Sequence, residues 1–188
     1  MKTKKARNRE IERAIFWLVN KERKKRGLGE LKLTPYLIHA AREHSRDMIR
    51  RGYFSHISHI SATPCFDEGP IERVKWGAEK YAEIQAEQAK RDKSLWGRLR
   101  RFFMIGAKPE LPTYIAENIG KMPTGRVAGI GNVKSEWDVA KAMMRIWMKS
   151  AGHRKNILNP AFTKIGIGFA CKKKHGHREY YAIQDFQG

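Results

Sequence analysis

Cysteine is scarce in this sequence. There are two, Cys65 and Cys171, and no CxxC pair. A zinc ribbon and a thioredoxin-type redox site are therefore excluded, and either one disulfide or two free thiols remains open. Long apolar runs are missing as well: no stretch reaches the roughly 18 apolar residues that a membrane-crossing helix needs. The segment from Met1 to Glu12 is charged and lacks the apolar centre of a signal peptide. The protein is thus expected in the cytoplasm if the chain starts there, and outside the cell if a leader has been removed. Acidic residues are few, 19 against 39 Lys and Arg, for a formal net charge of +20. Catalytic signatures are wanting too. There is no HExxH zinc helix, no GxSxG elbow, no GxxxxGK[ST] phosphate loop and no GxGxxG fingerprint.

What is present is enough for one folded domain. The chain has 188 residues, of which 41% are hydrophobic, and a disordered chain would be poorer in these. The excess of cations creates a field that draws in polyanions. Nucleic acid, an anionic membrane face and an acidic cell-wall polymer are the partner classes this charge suits. A soluble protein that merely carries a Lys/Arg-rich surface would read the same way.

Periodicity sets out the elements. Ile11, Ala14, Ile15, Leu18 and Val19 form an apolar stripe at helical spacing, with Lys24, Lys25 and Arg26 near its end and Gly27 as a stop. Thr34-Pro35 reads as a capping hydroxyl before a first-turn proline. The helix behind it carries Leu37, Ala40, Ala41, His44 and Met48 on one face, and Gly52 closes it. His44, on that apolar face, reads as a buried, hydrogen-bonded structural histidine. Residues 53–70 read as loop. Pro70 opens a third helix whose Ile71, Val74, Ala78 and Tyr81 are expected to be buried. A polar, Gly-rich loop is expected over 121–134. Ser135-x-x-Asp138 resembles a capping box before a helix that buries Val139, Ala140, Met143, Ile146 and Trp147 and stops at Gly152. Alternation over Ile165–Cys171 and Tyr180–Phe186, with a turn at His175-Gly176, predicts an antiparallel hairpin. Helices on either side of so few strands predict a small sheet covered on both faces.

Three short pieces place polar residues beside apolar ones near the ends of elements, where sites are usually built. They are Phe54-Ser55-His56, Ala116-Glu117-Asn118-Ile119 and Gly152-His153-Arg154-Lys155-Asn156-Ile157-Leu158. With them the chain resembles the CAP superfamily (cysteine-rich secretory proteins, antigen 5 and pathogenesis-related 1 proteins), most closely its prokaryotic SCP-like branch. The resemblance runs from about Ile11 to Phe186. It rests on five motifs in order: Leu18-Val19-Asn20-x-Glu22-Arg23-x-x-Arg26-Gly27-Leu28; His44-Ser45-x-Asp47-Met48 through Gly52-Tyr53-Phe54-Ser55-His56; Ala116-Glu117-Asn118-Ile119; Trp147-Met148-x-Ser150-x-Gly152-His153-Arg154-x-Asn156-Ile157-Leu158-Asn159-Pro160; and Ile165-Gly166-Ile167-Gly168.

The resemblance implies an α+β fold, an α-β-α sandwich with a small antiparallel sheet between helical layers. It makes residues 1–188 one domain, with 70–113 as a helical insertion. It also implies a central cleft with two histidines and two acids. By motif, His56 and His153 are the histidines and Glu117 one acid. Ser150 fills the slot of the other, so the tetrad is one carboxylate short. Asn118 and Asn156 are placed in the same cleft.

Two imidazoles and a carboxylate (His56, His153 and Glu117) can hold Zn²⁺ or another divalent cation and leave a position for water. A metal-dependent hydrolase would need a general base as well, which Ser150 cannot supply. A Ser150/His153 nucleophile pair is a weaker variant of the enzyme reading. Binding of a lipid, glycan or protein partner is the favoured expectation; the oligomeric state is not legible. A second surface is expected at 90–108, where seven Lys/Arg face a single acid, Asp92. Leu95, Trp96, Leu99, Phe102 and Phe103 share helical spacing there. Arg98, Arg100 and Arg101 between them suit an anionic membrane or polyanion. Nucleic acid is not expected, since no recognised nucleic-acid module surrounds the stretch.

Overall fold

The computed structural model describes residues 3–57, 69–91, 94, 114–127, 131–174 and 177–188. Its elements in chain order are α1 (Lys4–Lys24), β1 (Lys32–Leu33), α2 (Pro35–Arg51), α3 (Pro70–Arg91), β2 (Ile115–Pro123), β3 (Gly125–Val127), β4 (Gly131–Val133), α4 (Glu136–Lys149), α5 (Ala151–Ile157), β5 (Lys164–Lys174) and β6 (His177–Gln187). One sheet has the order β1-β5-β6-β2, and β3 and β4 pair separately. β5, β6 and β2 run antiparallel, whereas the two-residue β1 lies parallel to β5, so the sheet is mixed. Helices cover both faces, giving the α+β sandwich.

Local signals explain most element ends. Gly27 and Gly52 hold positive φ, 69° and 77°, the left-handed turn that lets α1 and α2 stop. The Ser135/Asp138 box forms in both directions: Asp138 N–H donates to Ser135 Oγ at 3.1 Å and Ser135 N–H to Asp138 Oδ2 at 3.1 Å. Pro35 begins α2 as expected, but the Thr34 side chain makes no cap hydrogen bond; its backbone N–H instead donates to Ile165 O at 3.0 Å, tying the helix start to β5.

Four expectations are corrected. Residues 121–134 are not one loop: Lys121–Pro123 extend β2, and β3 and β4 make a small hairpin. Apolar alternation is weak there, and pairing with β6 decides the conformation instead. Gly152 does not end the capped helix, which stops at Lys149; the glycine lies inside α5. Ile71 is exposed, while Val74 and Ala78 are buried as expected. The sheet is not purely antiparallel. The turn at 175–176, Cys65 and, of the insertion expected over 70–113, all but α3 and Ser94 fall outside the described residues.

The two sheet faces are unlike, and the difference sets the site. On one face Ile165, Ile167, Phe169, Ala182 and Phe186 meet α1 and α4 around Met143 and the wholly buried Trp147. On the other face β5 offers Gly166 and Gly168. A Cβ on Gly166 would sit 2.1 Å from the Leu37 carbonyl carbon, and one on Gly168 2.1 Å from that of Ala41. The α2 backbone therefore lies directly on the sheet backbone, a contact only glycine permits. Polar side chains fasten the rest. Arg23, buried on α1, donates to the carbonyls of Gly29, Ile157, Asn159 and Phe162 at 2.7–3.1 Å. Asn20 clasps Leu31 through both its backbone groups. Gly168→Ala should lift α2 from β5 and cost about 3 kcal/mol or more, read as a lowered urea midpoint, with Gly29→Ala, where nothing lies within 4 Å, as the benign control.

Candidate functional site

Glu117 is the third residue of β2, inside the strand. Strand alternation turns its side chain toward α2 and the neighbouring Asn118 toward α4. It is the cross-strand partner of Asp185 on β6. Three cations or potential cations converge on its carboxylate. His44 Nδ1 from α2 lies 2.8 Å from Oε2, and His56 Nδ1 lies 2.8 Å from Oε1. Arg73 Nη2 from α3 donates to Oε2 at 2.8 Å. A carboxylate only accepts hydrogen bonds, so both imidazoles donate through Nδ1. In the neutral ring that leaves Nε2 with its lone pair: inside the protein for His44, and at the open side for His56, whose ring is 47% exposed.

Burial by itself would raise the Glu117 carboxyl. The bonds and charges of His44, then His56 and Arg73, outweigh it and hold the group well below the usual carboxylate range. Asp185 has the opposite fate. Its burial, reinforced by the negative Glu117 beside it and only partly countered by Arg73, pushes it well above that range. The two carboxyls of the pair are pushed in opposite directions, because two buried like charges cannot both ionise cheaply.

The segment that brings His56 here is held by Asp47. That wholly buried carboxylate accepts from Tyr53 Oη at 2.8 Å and from Arg51 at 2.9 Å, and so steers the chain after Gly52 back over the sheet. His153 arrives from α5. Its backbone carbonyl accepts from Asn118 Nδ2 at 3.0 Å, and Asn156 donates to Asn118 Oδ1 at 2.9 Å, which seats α5 on β2. Burial lowers the His153 imidazole from its ordinary value and the nearby His56 lowers it further, while its Nδ1 is buried without a partner.

His56, Glu117 and His153 are thus brought into one neighbourhood. Asn118 is not a lining residue: it is fully buried on the opposite sheet face and works as a fastener, with Asn156 as its partner. Ser150 stands between α4 and α5 at the start of the turn that delivers His153, and its hydroxyl caps nothing. Glu117, expected as a metal ligand, has both oxygens engaged by His44, His56 and Arg73. Among the described residues, no three His, Cys, Asp or Glu side chains are arranged to hold a metal ion. Arg98, Arg100 and Arg101 lie outside the described residues.

Three members of the cluster are not marked as site residues by the sequence. His44 reads there as structural, and it is buried and hydrogen-bonded, but its partner is the central acid. Its place as the first residue of the second family motif is the available signal. Arg73 and Asp185 carry no local signal, since an arginine in a helix and an aspartate in a strand look like surface residues until the tertiary structure buries them.

Comparison with known proteins places the family and the fold. Residues 16–186 match the family model described as CAP, the cysteine-rich secretory protein family. The chain belongs to the CAP family. The uncharacterized protein YkwD of Bacillus subtilis is 32% identical over 158 residues, covering 84% of this chain and 42% of YkwD. The CAP chain thus spans less than half the length of that curated relative. Among solved structures, an extracellular protein containing an SCP domain from Bacillus anthracis superposes with a TM-score of 0.53 at 22% identity, over 97% of this chain and 42% of that one. An outer surface protein of Borrelia burgdorferi gives 0.54 at 16% identity, over 100% and 97%. At these identities the structures establish the shared fold. Among the described residues of this CAP domain, no helix is long and apolar enough to cross a membrane.

The charge pair makes two predictions. Asp185 has a folded pKa above its unfolded value, so its burial costs stability increasingly as pH rises above about 4, the unfolded carboxylate value. Asp185→Asn should therefore gain stability relative to the parent as pH is raised from 4, read from urea midpoints at several pH values. Glu117→Gln should lose about 3–5 kcal/mol at neutral pH, because the Arg73 guanidinium then faces an uncharged amide in the interior. That deficit should shrink as acid protonates Glu117 in the parent.

Proposed function

We propose that this CAP domain is a non-catalytic binding module whose cleft lies where His56 and His153 meet, and that it takes up a small lipid, glycan or peptide ligand, with a divalent cation such as Zn²⁺ as a co-ligand. The supporting observation is the Glu117 carboxylate with its two Nδ1 donors. A ligating histidine usually donates its other ring nitrogen to a carboxylate, which fixes the tautomer and aims the remaining lone pair. His56 has that arrangement, with its Nε2 side half exposed. His153, its pKa lowered by burial, supplies a second nitrogen, though among the described residues no carboxylate orients it.

The donor set fits a loosely held ion: two imidazoles from the protein and the remaining positions from water or ligand. Glu117 acts on the metal through His56 and not as a ligand. Among the described residues such a site lacks a free carboxylate to serve as a general base, and Ser150 in the slot of the missing acid cannot replace it. Binding is therefore favoured over hydrolysis. The partner stays outside the cell in this reading, as the Bacillus anthracis relative is described as extracellular.

Calorimetric titration with Zn²⁺ should give a single weak site that His56→Ala combined with His153→Ala abolishes. Equal heats for parent and double variant would remove the metal from the proposal. Affinity should fall with acidification, since ligating imidazoles must be neutral. The part of that fall due to His153 should come below pH about 6.5, the ordinary histidine value, because its pKa is lowered.

A further inference from the structure

A second surface lies on the face made by α1 and α4, away from the Glu117 side of the sheet. Two tryptophans are exposed there: Trp17 on α1 is 50% and Trp137 on α4 41% accessible. Their rings are 5.4 Å apart and inclined at 56°. Two large indoles left in water side by side on neighbouring helices, while Trp147 of the same helix pair is wholly buried, call for a reason. Both belong to helices whose inner faces are packed in the core, so neither is exposed for want of a place to go.

The surroundings are cationic. Lys21, one turn beyond Trp17, sets its ammonium 4.6 Å from the indole centre. Lys24 follows on the same side of α1, and Lys141 and Arg145 follow Trp137 at i+4 and i+8 on α4, all of them exposed. Between the two helices runs a groove of about 460 Å³ in which Leu18, Met144 and Met148 are bordered by Arg26, Lys141 and Arg154. Its acid, Glu22, is already paired with Lys25 and Arg26. Asp138, beside Trp137, is engaged by Ser135 and Lys141. Glu10 and Glu136 are the other acids of this region, and they are outnumbered. The net charge of +20 gives the whole face a positive field.

We propose that the α1/α4 face docks on an anionic phospholipid surface, Trp17 and Trp137 entering the headgroup layer while Lys21, Lys24, Lys141 and Arg145 meet lipid phosphates. Indole suits the membrane–water boundary because one end is apolar and the other donates a hydrogen bond. Cations beside it gain from a negative leaflet. A sugar chain is less well matched, since two rings inclined at 56° do not make the flat platform on which a pyranose stacks. The surface is separate from the His56/His153 cleft, so either proposal can fail without the other.

The test is sedimentation of the 188-residue chain with vesicles of phosphatidylcholine containing about 30 mol% phosphatidylglycerol, against pure phosphatidylcholine. Binding is expected to the anionic vesicles alone. Trp17→Ala with Trp137→Ala should weaken it about ten-fold or more, and Lys21→Ala and Lys141→Ala about five-fold each. All four side chains are exposed, so the variants should keep the parent's circular dichroism and urea midpoint. Brominated acyl chains should quench the parent's tryptophan fluorescence and leave that of the double Trp variant little changed. Undiminished sedimentation of the double Trp variant would overturn the proposal, as would equal binding to neutral vesicles. Binding to a soluble teichoic acid that competes fully with vesicles and shows the same Trp dependence would also overturn it, in favour of a cell-wall polymer.

Discussion

The backbone contact between α2 and β5 is the constraint on which the rest depends. Gly166 and Gly168 leave no side chain between helix and sheet, so α2 lies against the strand at the level of Leu37 and Ala41. One turn further along, His44 is lowered into reach of the next layer, the Glu117 carboxylate on β2. A larger residue at either glycine would raise the helix by more than the tolerance of a 2.8 Å hydrogen bond. The packing of the fold and the chemistry of its site are thus one arrangement.

From that contact the electrostatics follow. A carboxylate with 1% side-chain exposure is costly unless its partners replace water. Glu117 has three, each from a different part of the chain: α2, the segment after it, and α3. The residues that surround the acid are therefore also those that pin these segments to the sheet. Asp185 shows the limit of this solution. Burial and a neighbouring anion, with Arg73 only a partial counterweight, push it well above the usual carboxylate range. The cluster thus favours its negative charge on Glu117, the carboxyl that orients His56.

The rim of the molecule obeys a different logic. At the α1/α4 face the helices spend their apolar stripes on the core, yet a tryptophan from each remains outside among lysines and arginines. Aromatic bulk and positive charge placed together on a surface are features that folding does not require. The centre of the domain and this face are therefore proposed to meet different partners, one recognised by imidazole nitrogens and the other by charge and indole.

The sequence by itself determined a good deal. The helical stripes of α1, α2 and α4, the glycine stops at 27 and 52, the Ser135/Asp138 box and the β5–β6 hairpin are local or periodic features, and each is written in residues a few positions apart. The nearness of His56, Glu117 and His153 was legible only through motif order, not through any spacing. What the tertiary structure alone decided is of another kind. Strand β2 has no strong alternation and exists because β6 offers it a ladder. Arg73, His44 and Asp185 join the site because three separate segments are folded onto one carboxylate, and Asn118 leaves it because strand alternation turns it to the opposite face. The physical reason is range: caps, turns and stripes act within a helical turn or a strand pair. The burial of a charge is a property of everything packed around it.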